Sequence, residues 1–469
     1  MHLSQELTAQ YSVAMMPSGR IIPLNQHPPQ VKSAYVLYWM QAAQRAQANH
    51  ALCFASQEAD RLGLPLLTLF VLSEYPQATP PQYRWMLAGL RQTAAILQDA
   101  GIGFLLRRGN PLDIVLEVAS QAALVVVDRS PSRWAVSLKK SLAELARTRV
   151  VEVDGESLIP EALASPKQEW SARTLRLKID GAIDGYAQEP VPEVPTPHAR
   201  YSRAHGIGAD LYTAFDGQTK PAYQGDRSPE QVLRAEPGEM AALVTLEHFV
   251  TNKLDSYDFA RNDPTKDGTS SLSAYLHFGH ISPLVVIKAA READSPGFPA
   301  FREQCIVRRE LCRNFTRYRH ADYDSWEGLP AWSRSTLEAA SLERRTYNYS
   351  RAQFEAAETH DTYWNAAQEQ LVRSGTIHNY MRMYWGKMLL AWSANPQDAF
   401  STALYLNDRY ALDGRDPNGW AGIGWCFGLH DRPWPHQPFF GTVRAMSSKG
   451  LRRKFDADQY ARTWCKIRS

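Results

Sequence analysis

The chain has 469 residues, 44% of them hydrophobic, enough for two sizeable cores, and no apolar run approaches the ~18 residues that a membrane span needs. Its net charge of +3 is too small to announce nucleic-acid binding over the whole surface, so any such site must be a local patch. Five cysteines (Cys53, Cys305, Cys312, Cys426, Cys465) without a C-x-x-C pair argue against a disulfide framework and a structural metal site, and they fit a reducing, cytoplasmic setting.

The opening MHLSQELTAQYSVAMM lacks the basic-then-apolar order of a secretory signal, and residues 1–30 are expected to form a polar, proline-punctuated tail. From Ser33 onward short apolar runs (SAYVLYWM, LLTLFVL, GFLLRR, ALVVVD, VVEVD) alternate with amphipathic segments at 41–62, 83–100 and 132–147. That rhythm predicts an α/β domain, a doubly wound parallel sheet, over 31–160. The first strand is followed by QAAQRAQANH rather than G-x-G-x-x-G, and no P-loop motif occurs, which argues against a dinucleotide dehydrogenase or a P-loop kinase.

Residues 161–236 carry the proline-rich EPVPEVPTP and read as a connector along the surface; the basic residues of KQEWSARTLRLKI within it can equally be a solvated face. Helical periods dominate 237–469 and predict an all-α second domain, with helices at 239–254, 282–293, 300–319, 351–358 and 361–373. Within it Thr269, Ser270, Ser271 and Ser273 follow Gly268 closely, a hydroxyl-rich stretch suited to pyrophosphate oxygens or to simple helix capping. Arg309, Arg313 and Arg317 share one helix face, readable as a solvated charge face or as a phosphate track.

Nine of the 13 tryptophans lie from Trp326 onward, and the centre of the chain is read at 377–434. Trp385 and Trp392, seven residues apart, fall on one face of a helix roughly 10 Å apart along its axis, near enough for electron hopping or for ordinary core packing. Asn395 is a candidate N-cap for a further helix through Leu406, and 407–434 shows no period, as a functional loop would.

The motifs RNDPTKDG, LSAYLHFGHIS, THDTYWNAAQ, YMRMYW, YLNDRYALDGRDPNG and HDRPW together resemble the photolyase/cryptochrome flavoproteins, in particular class II cyclobutane pyrimidine dimer photolyases. The resemblance implies noncovalent FAD, active as the reduced anion, in the helical domain, room for a deazaflavin or pterin antenna in the α/β domain, and a monomer acting on UV-damaged DNA. Carried over by position, Tyr257, Thr269, Ser270, Ser271, Leu272 and Ser273 would hold the FAD phosphates, with Arg308 beside the cofactor. Arg382 paired with Asp413 would flank the flavin ring and Asn407 would face its N5 edge. Trp385, Trp364 and Trp392 match the family's electron-transfer chain. Met383, Trp425 and Arg261 would meet the flipped-out dimer, and Arg432 and Trp434 would fill the bubble left in the duplex.

Two departures stand out. The family usually has a glutamate on the damaged thymine where this chain reads FREQ and places Gln304, an amide that can donate a hydrogen bond but can neither exchange a proton nor bear a negative charge. The loop WCFGLHDRPW is one residue shorter than expected. The alternatives are a cryptochrome-like photosensor, favoured by Gln304 but not by the short C-terminal stretch, and a (6-4) photolyase, for which Met383 stands where a histidine is expected.

Overall fold

The computed structural model describes residues 19–30, 32–75, 77–202 and 235–465. Five strands, β2 (Tyr35–Trp39), β3 (Leu66–Leu72), β4 (Gly103–Arg108), β5 (Ala122–Asp128) and β6 (Arg149–Val153), form a parallel sheet. A short strand, β1 (Ile21–Pro23), adds to its edge antiparallel to β6, giving the order β1-β6-β5-β2-β3-β4. Residues expected to be tail therefore include a sheet strand, too short to show a period. The apolar runs follow from burial on both faces: Val36 and Tyr38 pack into one layer, Tyr35, Leu37 and Trp39 into the other.

Chain order reverses at β2, between β3 and β5, and the loop after β2 is pinned there. Asp128 at the end of β5 accepts from the amides of Gln41 and Ala42 (both 2.8 Å) and Ala43 (3.1 Å). Those amides cannot join a helix, so the helix expected from 41 begins at His50, with Asn49 as its side-chain cap. At these strand ends Trp39, Met40, Phe70, Tyr75, Tyr83 and Met86 line a cavity of ≈ 250 Å³, closed on the helical side by Arg415 and Pro417.

The region read as a connector contains a 16-residue helix, Ala172–Ala187, whose Leu175, Ile179 and Ile183 are buried, whereas 203–234 lie outside the described residues. The predicted helix at 300–319 is three pieces in line: Phe298–Arg302, a π-turn Glu303–Arg308, and Arg309–Tyr318. Two of the three arginines of its basic face are neither solvated nor free for phosphate. Arg313 pairs with Glu161 at 2.7 Å, Arg309 donates to the Glu156 carbonyl at 2.6 Å, and both are buried against the sheet domain. Arg45 answers from the other side, bonding the Gly279 carbonyl (3.0 Å) and Glu156 (2.7 Å).

His280 lies in this seam, wholly buried against Trp85, its Nδ1 accepting the Gly238 amide at 3.2 Å. Burial, then His277 and Arg45, push its pKa down to about 3. An unfolded histidine titrates near 6.5, so between there and 3 only the unfolded chain takes the proton, and stability falls as pH falls. Urea midpoints measured between pH 7 and 5 should drop, and His280→Phe should flatten the pH dependence of stability by up to about 1.4 kcal/mol per pH unit, the limit approached towards pH 5.

Candidate functional site

The site is organised on the helix Asn379–Trp392. Trp385 stacks on Trp364 of the neighbouring helix Thr362–Ser374, centroids 6.3 Å apart and planes within 6°, and Trp364 meets Trp392 edge-on at 6.5 Å. The pair read as neighbours on one helix is thus bridged by an indole from another. Both inner rings have their N–H groups satisfied: Trp364 donates to the Trp385 carbonyl (3.0 Å) and Trp385 to Gln368 (2.9 Å). Asp361 sets the two helices against each other, capping one through the Trp364 amide (2.8 Å) and accepting from Tyr384 of the other (2.7 Å). Trp392 lies 4.7 Å from the exposed ring of His360, so close-packed rings run from the interior to the surface.

One turn from Trp385, Arg382 donates to Asn407 and pairs with Asp413 at 3.5 Å. Asn407 is buried, and its amide nitrogen donates to Asp408 at 3.0 Å, so partners on both sides orient it. A Cβ at Gly419 would come within 3.0 Å of that nitrogen, which is why no side chain stands there. The sheet domain holds this corner: Gln82 donates to the carbonyls of Asp408 (3.1 Å) and Ala411 (2.7 Å). Asp408 was legible only as part of a motif, and Gln82 carried no signal.

Asn395 caps its helix as expected, but that helix runs to Tyr410, and the stretch read as loop contains a helix, Pro417–Cys426. It is apolar nearly all round, so it shows no amphipathic period, and Asp416 caps it. Asp416 also meets His277 at 3.2 Å, and although burial opposes ionisation, His277 holds the Asp416 pKa down to about 2. His277 ends the short helix Ser273–His277 that follows the hydroxyl stretch. Among the described residues Thr269, Ser271 and Ser273 have no side-chain hydrogen-bond partner, Ser270 is engaged only weakly with the Leu272 amide (3.5 Å), and Leu272 is buried. Tyr257 packs edge-on to Phe249 and Phe301, and burial pushes its pKa up to about 12.

The opposite wall comes from the π-turn and the Pro417–Cys426 helix. Gln304 is half-buried in that turn, and Arg308 of the same turn lies over the Trp425 ring at 4.7 Å while pairing with Glu303 at 3.1 Å. Met383 touches Cys426 through sulfur at 3.9 Å. Arg261 lies 5.8 Å over the Tyr257 ring, with a buried Nε that has no protein partner. Beyond them Asp431 accepts from Trp434 (3.2 Å), whose ring is flanked by exposed Arg432 (5.2 Å) and Arg444 (4.9 Å). Arg444 was not anticipated, since GTVRAM carries no motif.

A family model described as DNA photolyase matches residues 36–197. The chain is 39% identical over 452 residues to a deoxyribodipyrimidine photo-lyase of Methanothermobacter thermautotrophicus, covering 95% of this chain and 98% of that one. A protein of that name from Oryza sativa is 39% identical (91% of this chain, 86% of the relative), and one from Potorous tridactylus is 35% identical (94% and 83%). The chain belongs to the photolyase family. The fold matches a class III photolyase structure from Agrobacterium tumefaciens (TM-score 0.68, 22% identity, 93% of this chain and 87% of that one). It matches a Synechocystis cryptochrome equally (TM-score 0.68, 16% identity, 94% and 89%).

FAD is the cofactor expected of this family, and the residues fit it: unpartnered hydroxyls beside a helix start for phosphates, and an oriented amide, a guanidinium and a carboxylate for a flavin ring. Trp385→Phe or Trp364→Phe should abolish photoreduction of oxidised FAD, followed by absorbance under blue light with a thiol donor, while chemically reduced protein keeps most of its repair. Asn407→Leu should leave FAD bound but shorten the lifetime of its fully reduced state in air; reduction spectra and reoxidation rates unchanged from the parent would count against the placement of Asn407.

Proposed function

We propose that the protein is a light-driven DNA repair enzyme, a deoxyribodipyrimidine photo-lyase that splits cyclobutane pyrimidine dimers. Reduced FAD, excited by blue or near-ultraviolet light, supplies the electron for that cleavage in this family. The observation that carries the reading is the ring path from His360 through Trp392, Trp364 and Trp385, ending one turn from the Arg382–Asn407–Asp413 cluster. Such a path has a use where an internal group must be recharged with electrons from the surface.

The chain's own residues hold, orient and shield. Tyr257 and the run Thr269 to Ser273 bind phosphate oxygens; Arg382, Asp413 and Asn407 fix the protonation and orientation of the ring system. Met383, Trp425, Gln304 and Arg261 receive the flipped dimer, with Arg308 held on Trp425 so that the indole keeps its plane. Arg432 and Trp434, with Arg444, occupy the space the dimer leaves in the duplex. The aromatic cavity at the strand ends suits a second, light-harvesting chromophore, a deazaflavin or a pterin.

One residue favours a second reading: Gln304, where the family has an acid, points towards a photosensor. The test is to illuminate reduced protein with a thymine-dimer oligonucleotide and follow the return of thymine absorbance. Repair is expected, and Gln304→Glu should raise its yield modestly, a hydrogen bond to a charged group being worth roughly 1.5–3 kcal/mol. No restoration despite bound, reduced FAD and DNA binding would favour the sensor; restoration of (6-4) lesions alone would change the substrate.

A further inference from the structure

The helix Ala172–Ala187 turns one face inward, through Leu175, Ile179 and Ile183, and leaves the other bare. On the bare side Trp170, just before the Ser171 cap, is 65% exposed, and Leu177, seven residues on, is 78% exposed, with Arg173 between them. An indole left in water forgoes much of its burial energy, and Trp and Arg are the residue types enriched where surfaces meet a partner.

Its place in the molecule says what the contact is with. The Trp170 carbonyl lies 3.0 Å from His430 Nδ1, and His430 opens the loop that carries Arg432 and Trp434. One turn on, Arg176 grips Glu303 with two bonds (3.1 and 2.8 Å), and Glu303 in turn holds the Arg308 that covers Trp425. The start of the helix thus touches both walls of the lesion site.

Charge points the same way. The acids of the helix lie in its second half and are answered, Asp180 by Arg302 (2.9 Å) and Asp184 by Arg291 (3.4 Å). Lys178 pairs with Glu169. Arg173 and Lys167 have no acidic partner among the described residues, so the end nearest the lesion site carries positive charge that phosphates would neutralise.

We propose that Trp170 and Arg173 form a second DNA contact, the indole packing on a sugar or base and the guanidinium on a phosphate of the duplex beside the flipped dimer. This rests on the repair reading. It implies that the protein senses duplex flanking the lesion as well as the lesion itself.

The test compares the full-length parent with Trp170→Ala, Trp170→Phe and Arg173→Gln, measuring fluorescence-anisotropy affinity for a duplex with one thymine dimer and for the bare dimer dinucleotide. Trp170→Ala should lower the ratio of duplex to dinucleotide affinity by roughly 5-fold or more, with Trp170→Phe recovering most of it. Arg173→Gln should reduce the slope of log affinity against log salt by about 1. Equal ratios in parent and variants would overturn the proposal, as would parallel losses for both ligands. A Trp170→Ala that alters self-association at unchanged DNA affinity would assign the face to a protein contact instead. A parent with no preference for dimer-bearing over undamaged duplex would overturn the repair reading as well.

Discussion

Arg309 and Arg313, one helical turn apart, carry positive charge into the seam between the sheet and the helical half, where Glu156, Glu161 and Arg45 meet them out of water. Charges so buried contribute little net stability, because desolvation offsets their attraction, but an unpaired one is costly. The seam therefore acts less as glue than as a register: slide the two halves by one turn and buried charges lose their partners. Everything at the site that depends on both halves, including the Gln82 grip on the corner beside Asn407, depends on that register.

Within the helical half a second close fit sets Met383, one of the side chains proposed to face the dimer. A Cβ at Gly386 would approach the Cys426 sulfur to 2.5 Å, so the helices Asn379–Trp392 and Pro417–Cys426 cross at a distance only glycine permits. Next to it Lys387, fully buried, donates its ammonium to the Cys426 carbonyl at the C-terminal end of the crossing helix. Burial pulls that lysine down to about 8. Met383 lies beside this crossing, its sulfur 3.9 Å from the Cys426 sulfur, so its place follows from the close fit of Gly386 against Cys426.

Much of this was legible in the chain itself, and what was not has physical causes. Alternating apolar runs predicted the parallel sheet because its strands are buried on both faces, while β1 escaped as a three-residue strand. The helix Pro417–Cys426 escaped because nearly all its sides are buried, which erases the period that marks a helix. Motif resemblance named Trp364, but only packing shows that it lies between Trp385 and Trp392. The arginine run was legible as a face, yet its sequence could not say what met it, because the answering groups, the Glu161 carboxylate and the Glu156 carbonyl, lie about 150 residues earlier. Arg444 and Gln82 reach the site by tertiary contact alone.

The π-turn at Glu303–Arg308 has a consequence for how one helix serves two masters. Gln304, proposed to meet the dimer, lies near the start of the turn, Arg309 and Arg313 of the seam follow it, and a π-turn is one extra residue wound into an otherwise regular helix. That insertion shifts the phase of all that follows by about 100° relative to all that precedes. Deleting a single residue between Gln304 and Arg308 would leave a smoother helix and, with the seam in register, turn Gln304 by about 100° from its present direction. The irregular turn is thus the angular offset between Gln304, proposed to meet the lesion, and the arginines of the joint beneath it.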